Sequence, residues 1–96
     1  MDLVLAYDVD TTSTQGQRRL RRVAKLCEGH GIRVQKSVFE IVIDEPGLLK
    51  LLDRAERIID PKLDSIRIYR LPAKGFDDVV TLGTASATPH RDAHIL

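Results

Sequence analysis

Tryptophan is absent from this 96-residue chain, and only four aromatic side chains occur: Tyr7, Phe39, Tyr69 and Phe76. The core must therefore be mainly aliphatic. Cys27 is the single cysteine, which excludes an intramolecular disulfide and a cysteine-based metal cluster and leaves it the role of a small hydrophobe. No apolar run approaches the roughly 20 residues that cross a bilayer. No apolar leader segment is present either, so a soluble, cytoplasmic protein without membrane contact is expected. A glycine-rich phosphate loop is missing. Ser37 has no His–Asp set near it, which removes nucleophilic serine chemistry. His90 and His94 stand without the cysteine or carboxylate cluster that a zinc site requires.

What is present is one domain's worth of chain with an uneven charge distribution. The formal net charge is only +1. Between Gln15 and Ser37, however, Arg18, Arg19, Arg21, Arg22, Lys25, Arg33 and Lys36 face Glu28 alone, whereas acids outnumber bases between Phe39 and Asp64. A near-neutral total thus conceals a positive face.

Leu3-Val4-Leu5-Ala6 is an unbroken apolar run that ends in Tyr7-Asp8-Val9-Asp10 and a polar cluster, the pattern of a central strand buried on both sides. Gln17 to Glu28 reads as a helix, with Leu20, Val23, Ala24 and Cys27 on one face. Gly29-His30-Gly31 then ends it, glycine being suited to the left-handed C-terminal position. Ile32 to Ile43 reads as two strands with a bend or bulge near Lys36-Ser37. Asp44 caps a second helix with Pro46 in its first turn, and Leu48, Leu51, Leu52, Ala55, Ile58 and Ile59 form its apolar stripe. Asp60-Pro61 stops it, and Ser65 to Leu71 alternates as a further strand.

Strand, helix, strand, strand, helix, strand is the β-α-β-β-α-β order of an α+β, ferredoxin-like domain, an antiparallel sheet with both helices on one face. The other face is left for the C-terminal piece or a second subunit. Val79 to Gly83 is expected to add a short fifth strand on an edge, its own or a partner's. The domain is thus placed over 1–83, with a flexible tail over 84–96.

Asp8 and Asp10 carry the first candidate chemistry. Carboxylates at a strand end cap turns, or they hold Mg²⁺ or Mn²⁺, which take few protein ligands. One such residue per chain is a thin site, and a two-fold dimer supplies a second. The Arg18 to Arg22 cluster is either a solvated helix face or a grip on phosphate, and the missing Glu partners favour phosphate. Phe39 and Tyr69 read as core residues. Tyr7 needs a hydroxyl partner if buried. An RNA-recognition module shares the topology but needs more exposed sheet aromatics, and a small-molecule regulatory domain does not need the arginine excess.

Tyr7-Asp8-Val9, Arg19-Leu20-Arg21-Arg22-Val23-Ala24-Lys25 and Gly31-Ile32-Arg33-Val34-Gln35-Lys36-Ser37-Val38-Phe39-Glu40 together resemble the Cas2 family, the small CRISPR-associated nuclease of spacer acquisition. The resemblance runs from Met1 to Gly83. It implies a homodimer whose two Asp8 carboxylates face each other, bind a divalent metal and support cleavage of single-stranded RNA or duplex DNA. It also implies docking with the Cas1 integrase in antiviral defence. In some members a non-catalytic, duplex-binding scaffold role is the alternative. The positions matching the family's functional ones are Tyr7, Asp8, Arg19, Arg22, Arg33 and Phe39. Asp8 is the expected catalytic and metal residue. Arg18, Arg19, Arg22 and Arg33 are the expected nucleic-acid contacts, supported by Tyr7 and Phe39.

Overall fold

A computed structural model describes residues 1–83. Its elements are β1 (Asp2–Asp8), α1 (Thr14–Glu28), β2 (Gly31–Gln35), β3 (Val38–Val42), α2 (Glu45–Ile58) and β4 (Ser65–Arg70), followed by a short 3-10 helix, Gly75–Asp78. The sheet order is β2-β3-β1-β4 and every pairing is antiparallel. This is the expected ferredoxin-like arrangement, and it makes β1 a central strand between β3 and β4.

The helix-facing side of β1 carries Leu3, Leu5 and Tyr7, all buried against Phe39, Ile41, Val23, Leu48 and Leu51. Each such buried side chain contributes roughly 1.5–3 kcal/mol relative to exposure. The opposite side carries Val4 and Ala6, which are only half-buried. Burial on both sides is therefore incomplete in the single chain, because both helices lie on one face.

Ser13 sets the start of α1 three residues ahead of the expected Gln17: its Oγ accepts from the Gly16 N–H at 3.0 Å, satisfying one of the unpaired donors of the first turn. Gly16 is required there, since a Cβ would collide with the Asp10 carbonyl oxygen. The helix does not end on a left-handed glycine. Gly29 is right-handed (φ −73°), and its N–H donates to Lys25 O at 3.2 Å. Gly31 is the position where a side chain is excluded, because a Cβ would meet the Glu40 carbonyl oxygen across the β2–β3 ladder. Gly16→Ala should accordingly cost about 2 kcal/mol through overpacking, seen as a fall in Tm of roughly 10 °C. Gly29→Ala, where a Cβ makes ordinary contacts, should leave the Tm nearly unchanged; thermal unfolding followed by circular dichroism reads both.

The turn between β2 and β3 falls at Lys36-Ser37, with a register irregularity between Arg33 and Gln35. Asp44 caps α2 through Gly47 N at 2.8 Å, and α2 buries Leu48, Leu51 and Ala55. Leu52 lies at the edge of that stripe and is exposed. Cys27 is buried as expected, and burial pushes its thiol up to about 11.

One expectation is corrected, and of the two edges open to a fifth strand over 79–83 the chain's own is excluded. Tyr69 is not a core residue but half exposed at 50%: it pairs with Val4 on the uncovered sheet face, while Ile66 and Ile68 turn toward the helices. Residues 79–83 form no strand within the single chain. The 3-10 helix precedes them, held by Phe76 N donating to Asp2 Oδ2 at 2.9 Å. It delivers Val80 and Leu82 into solvent at 84% and 90% exposure rather than onto an edge of the chain's own sheet. The tail expected over 84–96 lies outside the described residues. Among the described residues, no helix is long and apolar enough to cross a membrane.

Candidate active site

Asp8 is the last residue of β1, exposed and in register with Ser65 of β4. On its other flank the Tyr7 N–H donates to Ser37 O at 3.0 Å. The backbone around Asp8 is therefore tied to both neighbouring strands, while its carboxylate takes no hydrogen bond or ion pair among the described residues. A rigid carbon frame with a free carboxylate is what a metal or substrate contact needs. No group of three His, Cys, Asp or Glu side chains that could hold a metal occurs among the described residues.

Asp10 is not brought to the same task. Its Oδ1 accepts from Thr12 N at 2.9 Å and Thr12 Oγ at 2.6 Å, closing a turn over the loop after β1. These bonds hold its carboxyl below the ordinary value. Asp10 is the turn former of the pair.

The arginines divide into two kinds. The Arg19 guanidinium is directed inward: Nε donates to Asp64 Oδ2 at 2.7 Å, Nη2 to Asp64 Oδ1 at 3.4 Å and to the Asp10 carbonyl at 3.5 Å. Arg33 lies over the Phe39 ring, 5.1 Å from its centroid, in a cation–π contact. Its Nη1 donates to Lys36 O at 3.1 Å and its Nη2 lies 3.5 Å from Glu28 Oε1. Arg18 and Arg22, in contrast, are exposed on α1 and enter no ion pair among the described residues. They present the unneutralised part of the basic face.

Tyr7 and Phe39 form the floor under this region. Their rings stack with centroids 6.1 Å apart, and Tyr7 Oη donates to Lys36 O at 3.1 Å, which supplies the hydroxyl partner that burial demands. Burial raises the Tyr7 phenol above its ordinary value, with the nearby Arg33 charge opposing. Both rings support the β2–β3 turn beside Asp8 rather than meeting solvent.

Asp64 is the residue that reading the sequence passed over. Its side chain is fully buried and accepts from Arg19, from Asp10 N at 3.0 Å and from Asp60 N at 2.9 Å. Burial works to raise its carboxyl, but the Arg19 and backbone hydrogen bonds prevail and hold it below the ordinary value. The signal that locates it is strand order: once β4 is laid beside β1, the residue before Ser65 must fall beside the loop that follows Asp8.

The family model described as CRISPR associated protein Cas2 matches residues 1–79. The chain is 46% identical over 92 residues to a protein of Rhodospirillum rubrum named CRISPR-associated endoribonuclease Cas2 3, covering 96% of this chain and 94% of that one. It is 48% identical over 71 residues to the CRISPR-associated endonuclease Cas2 of Halalkalibacterium halodurans, covering 74% of each. The crystal structure of Streptococcus pyogenes Cas2 superposes with a TM-score of 0.76 at 45% identity, covering 86% of this chain and all of that one. The chain belongs to the CRISPR-associated Cas2 family.

Proposed function

We propose that this chain is a metal-dependent endonuclease of spacer acquisition, acting in the cytoplasm on single-stranded RNA or duplex DNA as a homodimer that docks with the Cas1 integrase. The observation that carries the reading is the free, rigidly framed Asp8 carboxylate, and the exposed Arg18 and Arg22 of α1, without ion-pair partners among the described residues, add a surface for phosphate. The nuclease names of the relatives from Rhodospirillum rubrum and Halalkalibacterium halodurans support it.

The donor chemistry fits Mg²⁺ or Mn²⁺. A carboxylate oxygen is the ligand these ions prefer, and they retain several waters. One chain supplies Asp8 alone, so the second ligand comes from the Asp8 of a two-fold mate. The uncovered sheet face, where Val4, Ala6, Val38, Val42 and Tyr69 lie alongside Glu40 and Arg67, is the surface such a mate would bury. The exposed Val80 and Leu82 then serve to pair with the mate's sheet edge.

When bound, the ion supplies an activated water and charge stabilisation at the scissile phosphate. Arg18 and Arg22 hold backbone phosphates without reading sequence. The Tyr7–Phe39 stack and the bond to Lys36 O keep the β2–β3 turn fixed against β1. The alternative is the non-catalytic scaffold, which retains the basic face and duplex binding but has no turnover.

The test is to incubate the purified dimer with labelled RNA and labelled duplex DNA in Mg²⁺, in Mn²⁺ and in chelator. Cleavage of either substrate that stops with chelator supports the nuclease. Duplex binding with no product under any condition assigns the scaffold, and no affinity for nucleic acid would overturn both.

A further inference from the structure

We propose that Arg19 and Asp64 form a positioning pair that sets the Asp8 carboxylate for metal binding, and that Arg19 is not a nucleic-acid contact; the proposal rests on the role given to Asp8 above. The single Asp64 carboxylate joins four parts of the chain. Its Oδ1 accepts from Asp10 N at 3.0 Å, two residues beyond Asp8, and its Oδ2 accepts from Asp60 N at 2.9 Å, past the end of α2. Arg19 of α1 closes the set at 2.7 Å. Asp64 itself immediately precedes Ser65, the residue in register with Asp8. The chain leaving Asp8 and the strand beside it are thus held by one group. The Asp64 side chain is fully buried and that of Arg19 is only 15% exposed, so the Nε–Nη2 edge of the guanidinium is committed to a forked, charge-assisted contact that a phosphate would have to break to use that edge.

A residue that orients a metal ligand affects metal affinity and turnover, typically 10–100-fold, while leaving substrate binding alone. A phosphate contact does the reverse. The two roles are therefore separable.

Arg19→Gln, Arg19→Lys and Asp64→Asn dimers, checked by thermal unfolding, should be compared with wild type and Asp8→Ala. The readouts are Mn²⁺ affinity, kcat and KM for cleavage, and duplex affinity against salt in chelator. The expected result is a roughly 10–100-fold loss of Mn²⁺ affinity and kcat, with KM, duplex affinity and its salt slope within twofold of wild type. Arg19→Lys keeps the charge without the fork and should fall between wild type and Arg19→Gln, so it carries the test if Asp64→Asn does not fold. A shallower salt slope in Arg19→Gln would make Arg19 a phosphate contact and overturn the proposal. Unchanged Mn²⁺ affinity in these variants, with Asp8→Ala defective, would overturn the positioning role but leave the Asp8 reading standing. Unchanged Mn²⁺ affinity in Asp8→Ala as well would remove that reading and the proposal with it.

Discussion

Asp8→Ala should reduce metal-dependent cleavage by on the order of 10³-fold or more, while duplex affinity measured in chelator stays within about twofold of wild type. The size follows from the site's economy. In the proposed two-fold site each chain contributes one carboxylate, so the substitution would remove every protein ligand offered to the ion. Metal catalysis supplies several kcal/mol of charge stabilisation, and each 1.36 kcal/mol is tenfold in rate. Stability should be almost unaffected, because the Asp8 side chain is exposed and its carboxylate is bonded to nothing among the described residues. Asp8→Asn is the sharper control: it keeps size and polarity but loses the charge, and should be nearly as defective as Asp8→Ala. Rates of product formation from labelled RNA and duplex DNA check both variants.

Arg18→Ala combined with Arg22→Ala should show the opposite profile. Each lost phosphate contact lowers the slope of log affinity against log salt by about 0.9 on duplex DNA. Two arginines per chain in a dimer give a slope smaller by roughly 2 to 4, according to how many touch one duplex. At low salt the affinity should fall by one to two orders of magnitude, and cleavage at saturating substrate should persist. Titrations from low to moderate salt read the slope directly, and an unchanged slope would exclude the exposed α1 face as the binding surface. Adding Arg19→Ala should not lower the slope further, since that guanidinium is held by Asp64.

The positions of these residues were legible to different degrees. Asp8 could be found because an apolar run can only end where its strand reaches solvent, so its place followed from local pattern. The cap at Asp44, the bend at Lys36-Ser37 and the element order were readable for the same reason: each is decided within a few residues of chain. The inward turn of Arg19 was not readable, because Asp64 lies 45 residues away. Spacing within α1 shows that Arg19 is basic, not that it turns inward. Tyr69 was misplaced because an aromatic in an alternating strand can face either side, and the covered side is decided by where both helices pack. The strand expected over 79–83 depends on an edge to pair with, and the 3-10 helix leads these residues away from the chain's own edges.

A metal centre made of Asp8 from two copies of the chain fixes how many ions are bound and which residue holds them. Mn²⁺ binding to the purified dimer tests it most directly, by titration with the free ion followed by electron paramagnetic resonance. One tightly held Mn²⁺ per dimer, lost in Asp8→Ala, is the predicted result; an Asp8→Ala dimer that holds Mn²⁺ as tightly as wild type would contradict it.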